Sequence, residues 1–99
     1  MWQKVCKLSE ISEGSGKTLQ CSGPVLALFN VGGKIYAMDN TCPHRGGPLG
    51  EGSVEDGLVT CPWHAWSFDV KTGECKTAPG TQQKTYPAKV ESGDIFVDF

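Results

Sequence analysis

The sequence predicts an all-β chain, and three observations carry that reading. Short runs rich in β-branched and aromatic residues dominate, 13 glycines and 6 prolines in 99 residues supply many turns, and only one short segment has helical character. In order, WQKVCKL at 2–8, KTLQCS at 17–22, VLALFNV at 25–31 and KIYAMD at 34–39 read as strands. Gly32 and Gly33 lie between the last two and supply the positive φ angles of a tight hairpin. GLVTC at 57–61, WSFDV at 66–70, TYPAKV at 85–90 and DIFVDF at 94–99 continue the pattern, with Ser92-Gly93 turning the final pair. LSEISEG at 8–14 predicts one helical turn capped by Ser9, too short to stand unaided.

A chain of this length makes one compact domain with a modest core. Hydrophobic residues are 38% and charged residues 20%, with both signs mixed, the balance of an ordinary globular chain. The net charge of -2 leaves no basic stripe to offset phosphates, which argues against nucleic acid as a partner. The longest apolar runs, such as VLALF at 25–29, fall far short of the roughly 20 residues that cross a bilayer, so no membrane anchor is expected. The opening MWQKVCKLSE carries charges where a secretory signal needs an apolar run. Five cysteines are an odd number that suits a reducing compartment, and together these features predict a cytoplasmic location. Gly16-Lys17-Thr18 resembles the end of a phosphate-binding loop, but that motif needs a glycine where Ile11 stands. It reads as a polar turn between two strands.

Two segments depart from the β pattern, CPHRGGPLGEG at 42–52 and CPWHAWSFDVKTG at 61–73, and they hold both histidines of the chain. The arrangement is C-x-H, then residues 45–60, then C-x-x-H, which pairs Cys42 with His44 and Cys61 with His64 on two loops. Two thiolates and two imidazoles suit an iron-sulfur cluster. Four thiolates would leave it surplus negative charge, whereas two neutral imidazoles on one iron ease the uptake of an electron and raise the reduction potential. Pro43 and Pro62 fix φ beside each cysteine, and nearby glycines let backbone amides approach sulfur. The same four ligands also satisfy tetrahedral zinc, which would make the chain a zinc-stabilised interaction module. Against zinc, its fingers usually carry H-x₃₋₅-H on a helix, whereas here each histidine accompanies a cysteine in a Gly/Pro-rich loop.

On these motifs the chain resembles the Rieske proteins. Residues 42–66 are similar to the two cluster-binding loops of that family, and TAPGTQQKTYPAKVESGDIFVDF at 77–99 is similar to its proline loop and closing hairpin. The likeness covers nearly the whole chain and is strongest to the small Rieske-type ferredoxins. It implies a single Rieske domain over 1–99, with an antiparallel β-sandwich base (1–40 and 69–99) and an inserted two-loop cluster-binding subdomain at about 41–68. It also implies one [2Fe-2S] cluster, with Cys42 and Cys61 on the inner iron, His44 and His64 on the outer iron near the surface, and Pro79 in the covering loop. The implied role is a one-electron carrier rather than an enzyme. Its donor would be a flavoprotein reductase and its acceptor a terminal oxygenase, such as an aromatic-ring-hydroxylating dioxygenase. The small Rieske-like subunit of an assimilatory nitrite reductase is the nearest alternative.

The departures from the family are informative. Its high-potential members carry an extra cysteine in each loop, where this chain has Gly47 and Trp63. They also carry a serine and a tyrosine whose hydroxyls donate to the cluster, where this chain has Trp66 and Phe68. Fewer donors to sulfur destabilise the reduced form and predict a potential near the low end of the Rieske range, about -150 mV. No histidine remains for a mononuclear oxygenase iron, and no G-x-G-x-x-G follows a strand, so electron carriage is the expected role. Arg45 is a candidate for a docking face or a solvated loop residue, and Trp63 and Trp66 are candidates for shielding the cluster or joining the docking patch, with packing beneath the second loop the alternative, above all for Trp66. Cys6, Cys21 and Cys75 are expected to pack as small hydrophobes, and Glu51, Glu55, Asp56 and Glu74 to lie on a solvated face.

Overall fold

In the computed structural model, which describes residues 1–21, 23–43, 46–63 and 65–99, the apolar run at 25–31 becomes the central strand of the molecule. The strands are β1 (Trp2–Lys7), β2 (Gly16–Gln20), β3 (Val25–Val31), β4 (Lys34–Asp39), β5 (Ser53–Glu55), β6 (Leu58–Thr60), β7 (Ser67–Asp69), β8 (Thr85–Tyr86), β9 (Ala88–Glu91) and β10 (Asp94–Asp98). They form three antiparallel sheets, in the orders β1-β10-β9, β2-β3-β4-β8 and β5-β6-β7.

Alternation along β3 explains its continuous apolar character. Leu26 and Leu28 enter a core shared with Cys6, Ile95 and Val97 of the first sheet, whereas Ala27 and Phe29 enter a second core shared with Cys42, Val59, Cys61, Phe68 and Cys75. β3 is therefore buried on both faces, between the core of the first sheet and that of the two cysteine loops. Each fully buried leucine or phenylalanine here contributes roughly 1.5–3 kcal/mol.

Three hairpins turn on paired positive φ angles, which match the right-handed twist of the strands they join. These are Gly32-Gly33 (φ 62° and 88°), Ser92-Gly93 (52° and 79°) and Asp56-Gly57 (53° and 76°). The third joins β5 to β6, and β5 is a strand that the sequence reading leaves inside a loop. Other differences are local. Pro87 divides TYPAKV, because it has no amide to donate, so β8 pairs with β4 and β9 with β10. The helical turn contracts to a 3₁₀ turn at Leu8–Glu10, and Glu10, not Ser9, closes it by accepting the Lys7 N–H at 2.9 Å. That bond, with Lys17 nearby, lowers the Glu10 carboxyl below its ordinary value. Gly16, Lys17 and Thr18 open β2 instead of forming the turn before it. Among the described residues no helix is long and apolar enough to cross a membrane.

Candidate metal centre

The first cysteine loop leaves the end of β4 and is held from below by two buried amides. Asn40 Oδ1 accepts the Gly50 N–H at 2.7 Å and the Thr18 hydroxyl at 3.1 Å, while the Asn40 carbonyl accepts the Leu49 N–H at 2.8 Å. Gln83 Nε2 donates to the carbonyls of Asp39 and Thr41, at 2.7 Å each. Both residues are nearly inaccessible, with exposures of 7% for Asn40 and 6% for Gln83, so the loop is held by hydrogen bonds to buried side chains. Within the loop, the Cys42 N–H donates to the Gly47 carbonyl at 2.9 Å and the Gly46 N–H returns to the Cys42 carbonyl at 2.8 Å. Gly46 makes this turn at φ 76°. Asn40→Ala strands the Gly50 amide and is expected to cost about 1–3 kcal/mol, read as a lower urea midpoint.

The second loop caps the β6-β7 hairpin. Thr60 faces Ser67 across the ladder, the Cys61 N–H donates to the Trp66 carbonyl at 2.7 Å, and Ala65 turns the chain at φ 57°. Cys75 forms a bridge to Phe68, and its Sγ accepts the Ala78 N–H at 3.3 Å. Ser67 N–H donates to Thr77 Oγ1 at 3.0 Å, which ties the segment after Cys75 to the strand leaving the second loop. Pro79 in that segment is exposed.

The two loops bring Cys42 and Cys61 together, each 1% exposed, in one buried cluster with Val59, Phe68 and Val70. Neither is in a disulfide. Burial pushes the Cys61 thiol above its ordinary value, an effect opposed by the Trp63 N–H, which donates to its sulfur, and reinforced by Cys42. Gly47 lies against this sulfur: a Cβ built on it would fall 2.7 Å from Cys61 Sγ. His44, His64 and Arg45 lie outside the described residues. Trp66 is half-buried against the cysteine cluster, as packing beneath the loop requires, whereas Trp63 is 51% exposed. Phe68 is fully buried. Cys6 and Cys75 are buried and Cys21 is half-buried, and desolvation raises the thiols of Cys6 and Cys21. Glu51, Glu55, Asp56 and Glu74 are exposed.

The sequence reading passes over Asn40, Gln83 and the sulfur of Cys75 as parts of this site. Asparagine and glutamine in polar stretches carry no local signal of burial, and only the fold shows which carbonyls they meet.

Comparison with known proteins agrees with this geometry. A family model described as Rieske [2Fe-2S] domain matches residues 1–88. The chain is 45% identical over 95 residues to the 3-phenylpropionate/cinnamic acid dioxygenase ferredoxin subunit of Escherichia coli (strain K12), covering 94% of this chain and 89% of that protein. It superimposes on the Sphingomonas yanoikuyae B1 ferredoxin with a TM-score of 0.90 and 31% identity, covering 100% and 99% of the two chains. A chain in a complex of reduced oxygenase and oxidized ferredoxin in carbazole 1,9a-dioxygenase matches with a TM-score of 0.87 and 30% identity, covering 97% of this chain and 91% of that one. With the paired cysteine loops, the fold and a family match over most of its length, the chain belongs to the Rieske [2Fe-2S] domain family.

Proposed function

We infer that the chain is a one-electron carrier, the ferredoxin component of a multicomponent oxygenase system, with one [2Fe-2S] cluster held by Cys42, His44, Cys61 and His64. The observation that carries this reading is the convergence of Cys42 and Cys61, two buried, unpaired thiols from separate loops, in a chain of the Rieske family. The residues present fit the group. The thiols share one buried cluster, and Gly47 leaves open backbone where a side chain would press on Cys61 Sγ. When bound, the cluster supplies a one-electron couple of intermediate potential. Burial of Cys42 and Cys61 would keep water from the ligating sulfurs, and the backbone hydrogen bonds within each loop would hold these residues in place.

The reading treats about residues 41–68 as the cluster-binding subdomain on a base of 1–40 and 69–99, consistent with the separate β5-β6-β7 sheet. The names of the relatives support a terminal oxygenase as acceptor, and a flavoprotein reductase is the donor class that such a couple suits. A cytoplasmic setting fits five cysteines without a disulfide among them.

Neither Trp66 nor Phe68 carries a hydroxyl that could donate to sulfur. The midpoint potential is expected near the low end of the family range, about -150 mV by protein-film voltammetry. A midpoint above zero contradicts this reading of the donors.

A further inference from the structure

We propose that Trp63 is the positioning residue that closes the two ligand loops on one another, the base of its side chain packed against Gly47. The proposal rests on the site described above and extends it to what holds the loops together. Gly47 belongs to the first loop and is tied to Cys42, whose N–H donates to its carbonyl at 2.9 Å. Trp63 belongs to the second loop, two residues after Cys61. At Gly47 and Trp63 the two loops approach closely. A Cβ built on Gly47 would meet Trp63 Cγ at 3.0 Å and Trp63 Cβ at 3.1 Å, as well as Cys61 Sγ at 2.7 Å. Cys42 is thus linked to the second loop through one hydrogen bond to Gly47 and the close approach of Gly47 to Trp63 and Cys61 Sγ.

Trp63 is nevertheless 51% exposed and lies outside both buried cores. About half of its surface is covered and half faces solvent. Truncating it therefore removes loop closure while leaving both cores intact, which separates positioning from general stability. Gly47 is the complementary half: it is buried, and any side chain there collides with the ring and the thiol together.

The experiment compares wild type, Trp63→Ala, Trp63→Phe and Gly47→Ala. It reads iron release to a ferrous chelator, midpoint potential, melting temperature, and the rate at which iodoacetamide labels Cys61 in metal-free protein, followed by peptide mass spectrometry. Trp63→Ala and Gly47→Ala are expected to release iron about tenfold faster or more, as loss of a supporting contact does at a metal site. In Trp63→Ala the potential moves upward as water reaches the Cys61 sulfur, and Cys61 labelling accelerates by a similar factor while the melting temperature holds. Trp63→Phe keeps the Cβ and Cγ that touch Gly47 and stays close to wild type. Wild-type rates and potential in Trp63→Ala overturn the proposal. So does a parallel fall of melting temperature and iron retention in Trp63→Ala and Trp63→Phe, which marks a merely structural role. If wild type binds no iron, the carrier reading fails by itself, and the Cys61 labelling rates still decide whether Trp63 closes the loops.

Discussion

Replacing Cys61 with serine is expected to give a colourless protein whose iron content falls to less than about a tenth of wild type, because a site built from few ligands loses its metal when one is removed. The substitution exchanges a soft sulfur donor for a hard hydroxyl at a position only 1% exposed, and strands that hydroxyl beside Cys42 and Phe68 at a cost of about 1–3 kcal/mol. The fold should survive. The core formed by Leu26, Leu28, Ile35, Ile95 and Val97 contains neither loop, so the β-sheet circular dichroism is expected to persist while the visible absorption disappears. Metal analysis and the visible spectrum read the result together. A brown, iron-replete serine variant would exclude Cys61 as a ligand.

The largest effect on stability is expected at Gly73→Ala. Gly73 is buried at φ 80°, donates its N–H to the Asp69 carbonyl at 2.7 Å and accepts the Gln83 N–H at 2.8 Å. A methyl group there would collide with the Gln83 carbonyl and approach Thr85 Cγ2 at 3.0 Å, and backbone cannot move aside as a flexible side chain can. Left-handed strain and the collision together should cost about 3 kcal/mol, which lowers the melting temperature of a domain this size by roughly 12–24 °C. The damage should reach the metal site, because Gln83 also holds the carbonyls of Asp39 and Thr41 just ahead of Cys42. Thermal unfolding followed by circular dichroism checks this, and a melting temperature within about 3 °C of wild type contradicts it.

The hairpins show how far the sequence reaches. Gly32-Gly33 and Ser92-Gly93 announce their turns because few residue pairs adopt positive φ twice in succession. Asp56-Gly57 carries the same signal, but the strand it serves, SVE at 53–55, is three residues long, with serine and glutamate flanking its only apolar residue. The two-sided burial of β3 is legible in VLALF, since only a strand covered on both faces tolerates an unbroken apolar run. The break at Pro87 was visible in the sequence as a missing amide, yet its consequence, one segment serving two sheets, depends on the packing of those sheets.

At the site, Cys42 and Cys61 stand out because a thiol and an imidazole recur at short spacing twice in the chain. Their supports do not stand out. Asn40 and Gln83 act through contacts 10 to 44 residues distant in sequence, and nothing local separates a buried asparagine from one on a solvated turn. The seat of Trp63 on Gly47 is similarly silent, since it exists only once the two loops have met.

Electron paramagnetic resonance of the dithionite-reduced protein, with iron and zinc quantified on the same sample, tests the central claim most directly. The account predicts the rhombic signal of a histidine-ligated cluster, with about two irons per chain and no stoichiometric zinc. A silent spectrum with one zinc per chain would contradict it and would identify a zinc-stabilised interaction module instead.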